Sequence, residues 1–159
     1  MDLRLPLSVV AKGDIVRLLR ELEGLDNFFI TARAPKSSKE PDGFELTQML
    51  GQLAADNKID LRAADQRKKL VASLKLLAGA APILHISFAA EPSKEAIEKI
   101  LGWLRTNIAP QTLITIGLQP AIAAGFILRT PNKIFDLSLR NHLKKQEPYL
   151  VKLIEQAIQ

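Results

Sequence analysis

The chain has 159 residues, 47% of them apolar, enough for one large or two small domains with a real core. It contains no cysteine, which excludes disulfides, thiolate metal sites and cysteine nucleophiles. The net charge of +5 reads as a mildly basic solvated surface rather than a nucleic-acid footprint. Aromatics make up only 5%, and the one dense basic run, Arg62 to Lys69, holds none and is diluted by Asp60 and Asp65.

In chain order, Leu3 to Val10 reads as a short strand or an extended arm. It is too short, and too broken by Arg4 and Pro6, to be a signal-peptide core, and no run reaches membrane-spanning length. Asp14 then caps a helix with an apolar stripe of Ile15, Leu18, Leu19 and Leu22, weakened or closed at Gly24. Residues 31–43 are polar with two prolines, the composition of an exposed connector. A second helix carries Leu46, Met49, Leu50 and Leu53 on one face. A third carries Leu70, Val71, Leu74 and Leu77 and ends at Gly79. Together they predict a small N-terminal helical bundle over residues 1–80.

From residue 81 the pattern changes. Pro82 to Phe88 is a short apolar run of buried-strand type. Ser93 caps the next helix, with Glu95 in its first turn and a stripe of Ile97, Ile100, Leu101, Leu104 and Ile108. Thr112 to Gly117 and Ala123 to Arg129 read as strands. Thr130-Pro-Asn-Lys133 reads as a hairpin turn from which Ile134-Phe135 pairs back briefly. Asp136 or Ser138 caps a helix, Lys144 and Lys145 suit its C-terminal end, and Pro148 restarts a tail helix striped by Leu150, Leu153, Ile154, Ala157 and Ile158. That stripe reads first as a core face. The fold class is α+β: the helical bundle, then a β-α-β-β-β-α domain with a tail helix over residues 81–159.

Motifs for chemistry are scarce. There is no G-x-x-x-x-G-K-[ST], no G-x-G-x-x-G, no H-E-x-x-H and no G-x-S-x-G. Of the two histidines, His85 lies in an apolar strand and reads as a core residue, and His142 reads as surface. The sequence predicts no catalytic residue, cofactor or metal. The run Ala123-Ala124-Gly125 stands out, because small residues at the head of a strand let a helix or another backbone come close. Its readings are the chain's own helix filling the spot, a bulge at Gly125, or a docked partner helix.

The stretch around this run carries a resemblance. From about Ala81 to Leu143 the chain resembles the δ subunit of F-type ATP synthases, called the oligomycin-sensitivity-conferring protein in mitochondria. That family has a pattern close to D-P-x-L-I-G-G, then a strand, a turn, D-x-S and a helix. Here Pro120, Ile122 and Gly125, followed by Asp136 and Ser138, stand at matching spacing, with Gln119 in the acidic position and Ala124 for the first glycine. The family's N-terminal bundle has six helices in about a hundred residues, where this chain offers three in about eighty.

The resemblance implies a non-catalytic connector that ties the catalytic head to the peripheral stalk and resists rotor torque, without cofactors. The implied partners are the C-terminal helix of the b subunit and N-terminal segments of the α subunit. Its expected place is the cytoplasmic side of the cell membrane, attached only through the complex, with no nucleic acid bound. The motif residues are expected to be framework. The candidate contacts are Arg129, Arg140, Leu150, Leu153, Ile154 and Ile158. The alternative is a small basic nucleic-acid-binding module using Arg62 to Lys69 and Arg140 to Lys145, and a hydrolase ranks third.

Overall fold

A computed structural model describes residues 3–32 and 45–158, leaving aside the side chains at 32, 141, 142, 157 and 158. The expected connector lies almost wholly outside the described residues. Among the described residues the architecture is α+β: five α-helices and a four-stranded mixed sheet, with helices first and the strands and end helix after them. The helices are α1 Lys12–Ala32, α2 Gln48–Asp56, α3 Ala64–Ala80, α4 Lys94–Asn107 and α5 Leu139–Ile158. The strands are β1 Ile83–Phe88, β2 Leu113–Leu118, β3 Gly125–Arg129 and β4 Ile134–Ser138. Two compact units emerge, and neither boundary falls simply at residue 80. One combines Met1–Pro82 with Glu98–Leu113, the other Ile83–Ile97 with Ile114–Gln159.

In the first unit α1 packs on α2 and α3. Ile15, Leu18 and Leu22 of α1 meet full burial, as do Leu50 and Leu53 of α2 and Leu70 and Leu74 of α3. The helix ends differ from expectation. Asp14 sits inside the first turn of α1 and reaches back, its Oδ2 accepting from the amides of Val10 and Ala11, both at 2.9 Å. Gly24 and Gly79 lie within helices, because a glycine costs only about 1 kcal/mol and a buried leucine stripe outweighs that. Thr47 caps α2 by accepting from the Leu50 amide, so Leu46 lies outside the helix and is exposed.

The N-terminal arm is irregular but not loose, since Leu3, Leu5 and Val9 are buried. Arg105 of α4 holds it. Its Nη1 donates to the carbonyls of Leu5 (3.0 Å) and Pro6 (2.9 Å), Nη2 to Val9, and Nε to Thr112 (3.2 Å). Burial lowers the Arg105 pKa to about 10, far enough above neutrality that the guanidinium stays charged.

In the sheet the strand order is β2-β1-β3-β4. The amide of Leu113 donates to Pro82 and that of Gln119 to Phe88, the same offset at both ends, which is parallel register. β3 runs antiparallel to both β1 and β4. The pairing puts Leu84, Ile86, Phe88, Phe126, Leu128, Phe135 and Leu137 on one face, and His85, Ser87, Ile127, Arg129, Ile134 and Asp136 on the other. His85 is therefore exposed on the more polar face, not a core residue. Alternation along β1 turns its ring away from the buried side.

Candidate docking site on the C-terminal helix

The small run is where the second unit is joined together. Pro120–Ile122 forms a short 3-10 turn, with Ile122 buried. Ala123 follows at φ 67, and β3 begins only at Gly125, at φ 86. Ala123, with ψ −55, is the centre of a γ-turn closed by the Ala124 amide donating to the Ile122 carbonyl at 2.9 Å, a strained conformation for alanine, while the positive φ of Gly125 is comfortable for glycine. A Cβ on Gly125 would collide with the carbonyl oxygen of Leu137 and lie 3.1 Å from Ser138 Cα. What comes close to Gly125 is the backbone of β4. The expectation that the chain's own helix fills the spot is corrected on this point.

The joint continues into α5. β4 runs on to Ser138, longer than the brief pairing expected, and α5 starts at the next residue. The amide of Leu139 donates to the Ala124 carbonyl at 2.9 Å, so a backbone group takes up this first-turn donor. Asp136 and Ser138 are strand residues, and Ser138 directly precedes the first residue of α5. The Ser138 amide donates to Asp136 Oδ1 at 2.9 Å. The Ser138 hydroxyl bonds the same carboxylate, and these two bonds, chiefly the hydroxyl's, hold the Asp136 pKa below its ordinary 3.8. Pro120, Ile122, Gly125, Asp136 and Ser138 thus gather at one corner where β3, β4 and α5 meet.

α5 is a single 20-residue helix, with Pro148 inside it rather than at a restart. Every one of its described side chains is exposed, so the tail stripe is not the core face it first reads as. Leu139, Leu143, Leu150, Leu153 and Ile154 each leave between 45% and 56% of their surface in solvent. The spacing Leu139, Leu143, Gln146, Leu150, Leu153 alternates four and three residues, the repeat of a coiled-coil seam interrupted by one polar position. Sequence reading found the second half of this seam. It missed Leu139 and Leu143 because Pro148 seemed to divide the pattern.

A groove of about 440 Å³ runs beside the helix, lined by Ala123, Arg140, Leu143, Lys144, Glu147 and Leu150. Among the candidate contacts, Arg140 and Leu150 line this groove, and Leu153 and Ile154 continue the same side of the helix beyond it. Arg129 is exposed at the far end of β3, paired with Ile134 and His85, and takes no part. The side chains of His142 and Ile158 lie outside the described residues.

The arrangement offers apolar surface flanked by two cations, Arg140 and Lys144, and one carboxylate, Glu147. Among the described residues no three His, Cys, Asp or Glu side chains gather to hold a metal, and no helix is long and apolar enough to cross a membrane. The basic run of the alternative reading is partly spent inside the fold, since Arg67 is buried against Asp26. No family model matches the chain, and no curated protein matches it.

Proposed function

We propose that this chain is the δ-type connector of an F-type ATP synthase stator, gripping a b-subunit helix along α5 while its N-terminal unit faces the catalytic head. The observation that carries this reading is the unpartnered leucine seam of α5, rooted in the corner that holds the family's motif residues. Monomeric proteins rarely expose so continuous an apolar stripe unless it meets a partner. A seam repeating every 3.5 residues fits another helix, laid along it knobs into holes. Arg140 and Lys144 on its flank, offset in part by Glu147, leave a net positive edge that favours a helix carrying a carboxylate there.

Burying the solvent-facing half of five aliphatic side chains yields about 4–8 kcal/mol. Association itself costs about as much, so the stripe orients the helix and the neighbouring groove must add contacts for tight binding. The test is calorimetric titration of the full chain with the C-terminal peptide of the b subunit, and separately with the N-terminal peptide of the α subunit. One-to-one saturation by the b peptide, lost in Leu150→Asp, is the expected result. No heat from either peptide at high concentration overturns the reading.

A further inference from the structure

The first unit holds a cavity of about 250 Å³ between the end of α1 and the start of α3, walled by Phe29 and Ile30 on one side and by Arg62, Arg67 and Lys68 on the other. We infer that this cavity docks an acidic segment of a protein partner, one that presents a carboxylate beside a large apolar side chain.

Arg67 is the fixed element. It is only 4% exposed. Its Nε donates to Asp26, its Nη1 to the carbonyls of Leu61 (2.8 Å) and Arg62 (3.0 Å), and its guanidinium lies 4.6 Å from the Phe29 ring centroid. Its Nη2 donates to nothing among the described residues. Asp26, the one carboxylate among the described residues that line the cavity, is already paired with Arg67. Arg62 and Lys68 are exposed, and neither forms an ion pair among the described residues. Ala64, the first residue of α3, also lines the cavity; no side chain caps that helix start, and Asp65 in its first turn offsets the dipole there, so the cavity's positive charge comes from the three side chains.

Among the described residues the cavity lining therefore carries more cations than carboxylates. Its other wall decides which kind of anion suits it. Ile30 is 69% exposed at the rim beside the Phe29 ring, and neither gains from a bare phosphate. A peptide carrying an acidic and an apolar side chain together satisfies both walls. Nucleic acid, with a charge on every phosphate, would need cations along a track rather than around one cavity. This inference does not rest on the stator reading, and its failure would leave that reading standing.

The probe is a fluorescein-labelled peptide, Asp-Glu-Leu-Leu-Asp-Glu, followed by polarisation with the full chain. The expected result is saturable one-to-one binding, weakened at least tenfold in the double variant Arg62→Gln, Lys68→Gln. These two side chains are exposed, and an unchanged circular dichroism spectrum confirms that the variant folds. The control Lys144→Gln, Lys145→Gln removes the same charge from the second unit and leaves binding within twofold. The peptide Asp-Glu-Ser-Ser-Asp-Glu binds at least fivefold more weakly. Any of four results overturns the proposal: no saturation at millimolar chain, equal binding of the serine peptide, equal loss in the control variant, or displacement by inorganic phosphate or a single-stranded oligonucleotide at lower concentration than by unlabelled peptide.

Discussion

Replacing Arg105 with methionine keeps the aliphatic stem and removes the guanidinium. Four carbonyls lose the guanidinium: Leu5, Pro6 and Val9 in the arm, and Thr112 in the turn before β2; Pro6 keeps the Val9 amide as a donor, so three are left to find another partner. A buried acceptor left without a partner costs about 1–3 kcal/mol. Two effects reduce the total. The variant no longer carries the cost of burying a charge, the same burial that lowers the Arg105 pKa to about 10. The arm can also peel away and rehydrate its carbonyls, giving up the burial of Leu3, Leu5 and Val9 instead. The net loss expected is about 2–4 kcal/mol, a large part of a typical domain's stability.

Urea unfolding followed by far-ultraviolet circular dichroism reads the loss as a lower midpoint. Hydrogen exchange reads its location, with the Val9 amide, bonded to the Pro6 carbonyl at 3.0 Å, exchanging far faster than amides in α3. Arg105→Lys recovers part of the loss, since an ammonium cannot span all four acceptors. The deficit should stay level from about pH 5 to about pH 9, because the arginine is charged throughout. An Arg105→Met midpoint equal to wild type, with arm exchange unchanged, would refute the claim that this side chain anchors the arm.

Gly125→Ala should cost about 2–4 kcal/mol in the same urea assay, from the left-handed backbone at φ 86 and the collision with the Leu137 carbonyl; a loss under about 0.5 kcal/mol would show that β4 yields easily. Leu150→Asp should leave the urea midpoint unchanged, because the side chain is exposed, yet weaken capture of the b-subunit peptide roughly a hundredfold in calorimetry. Asp136→Asn removes a carboxylate whose pKa is depressed by Ser138. Its stabilisation is present above the ordinary value of 3.8 and lost as pH falls through the depressed one, so the gap between variant and wild-type midpoints should close in acid titrations and stay constant at neutral pH. A fragment ending at Pro82 lacks Leu101, Leu104 and Arg105, which belong to the first unit, and should unfold without a cooperative transition.

Much of the fold was legible in local patterns. The stripes at Ile15, Leu50 and Leu70 each reach full burial, and Ser93 accepts from the Ala96 amide at 3.2 Å as a cap should. The Thr130 to Lys133 turn closes with paired bonds of 2.8 and 2.9 Å. Punctuation misled at Gly24, Gly79 and Pro148, because the local penalty of each is smaller than what a continued helix gains. Positive φ at Ala123 could not be read from an alanine, although the Gln-Pro before it and the small run after it are turn signals. The grip of Arg105 on Leu5 was invisible, because nothing in a sequence marks a contact across 100 residues.

At the candidate site, the leucine spacing was visible but its exposure was not. Periodicity identifies an apolar face without saying what lies against it. Ala123 and Lys144, which line the groove, could be found only once β4 and α5 were seen to meet at the small run.

No loop separates β4 from α5: Ser138 ends the strand and Leu139 opens the helix, already tied to Ala124. A load entering α5 therefore reaches the β3–β4 ladder without slack and is shared by its five paired positions. A handle fused to a sheet in this way passes on force as tension the moment it is pulled, where a flexible tether would first have to straighten.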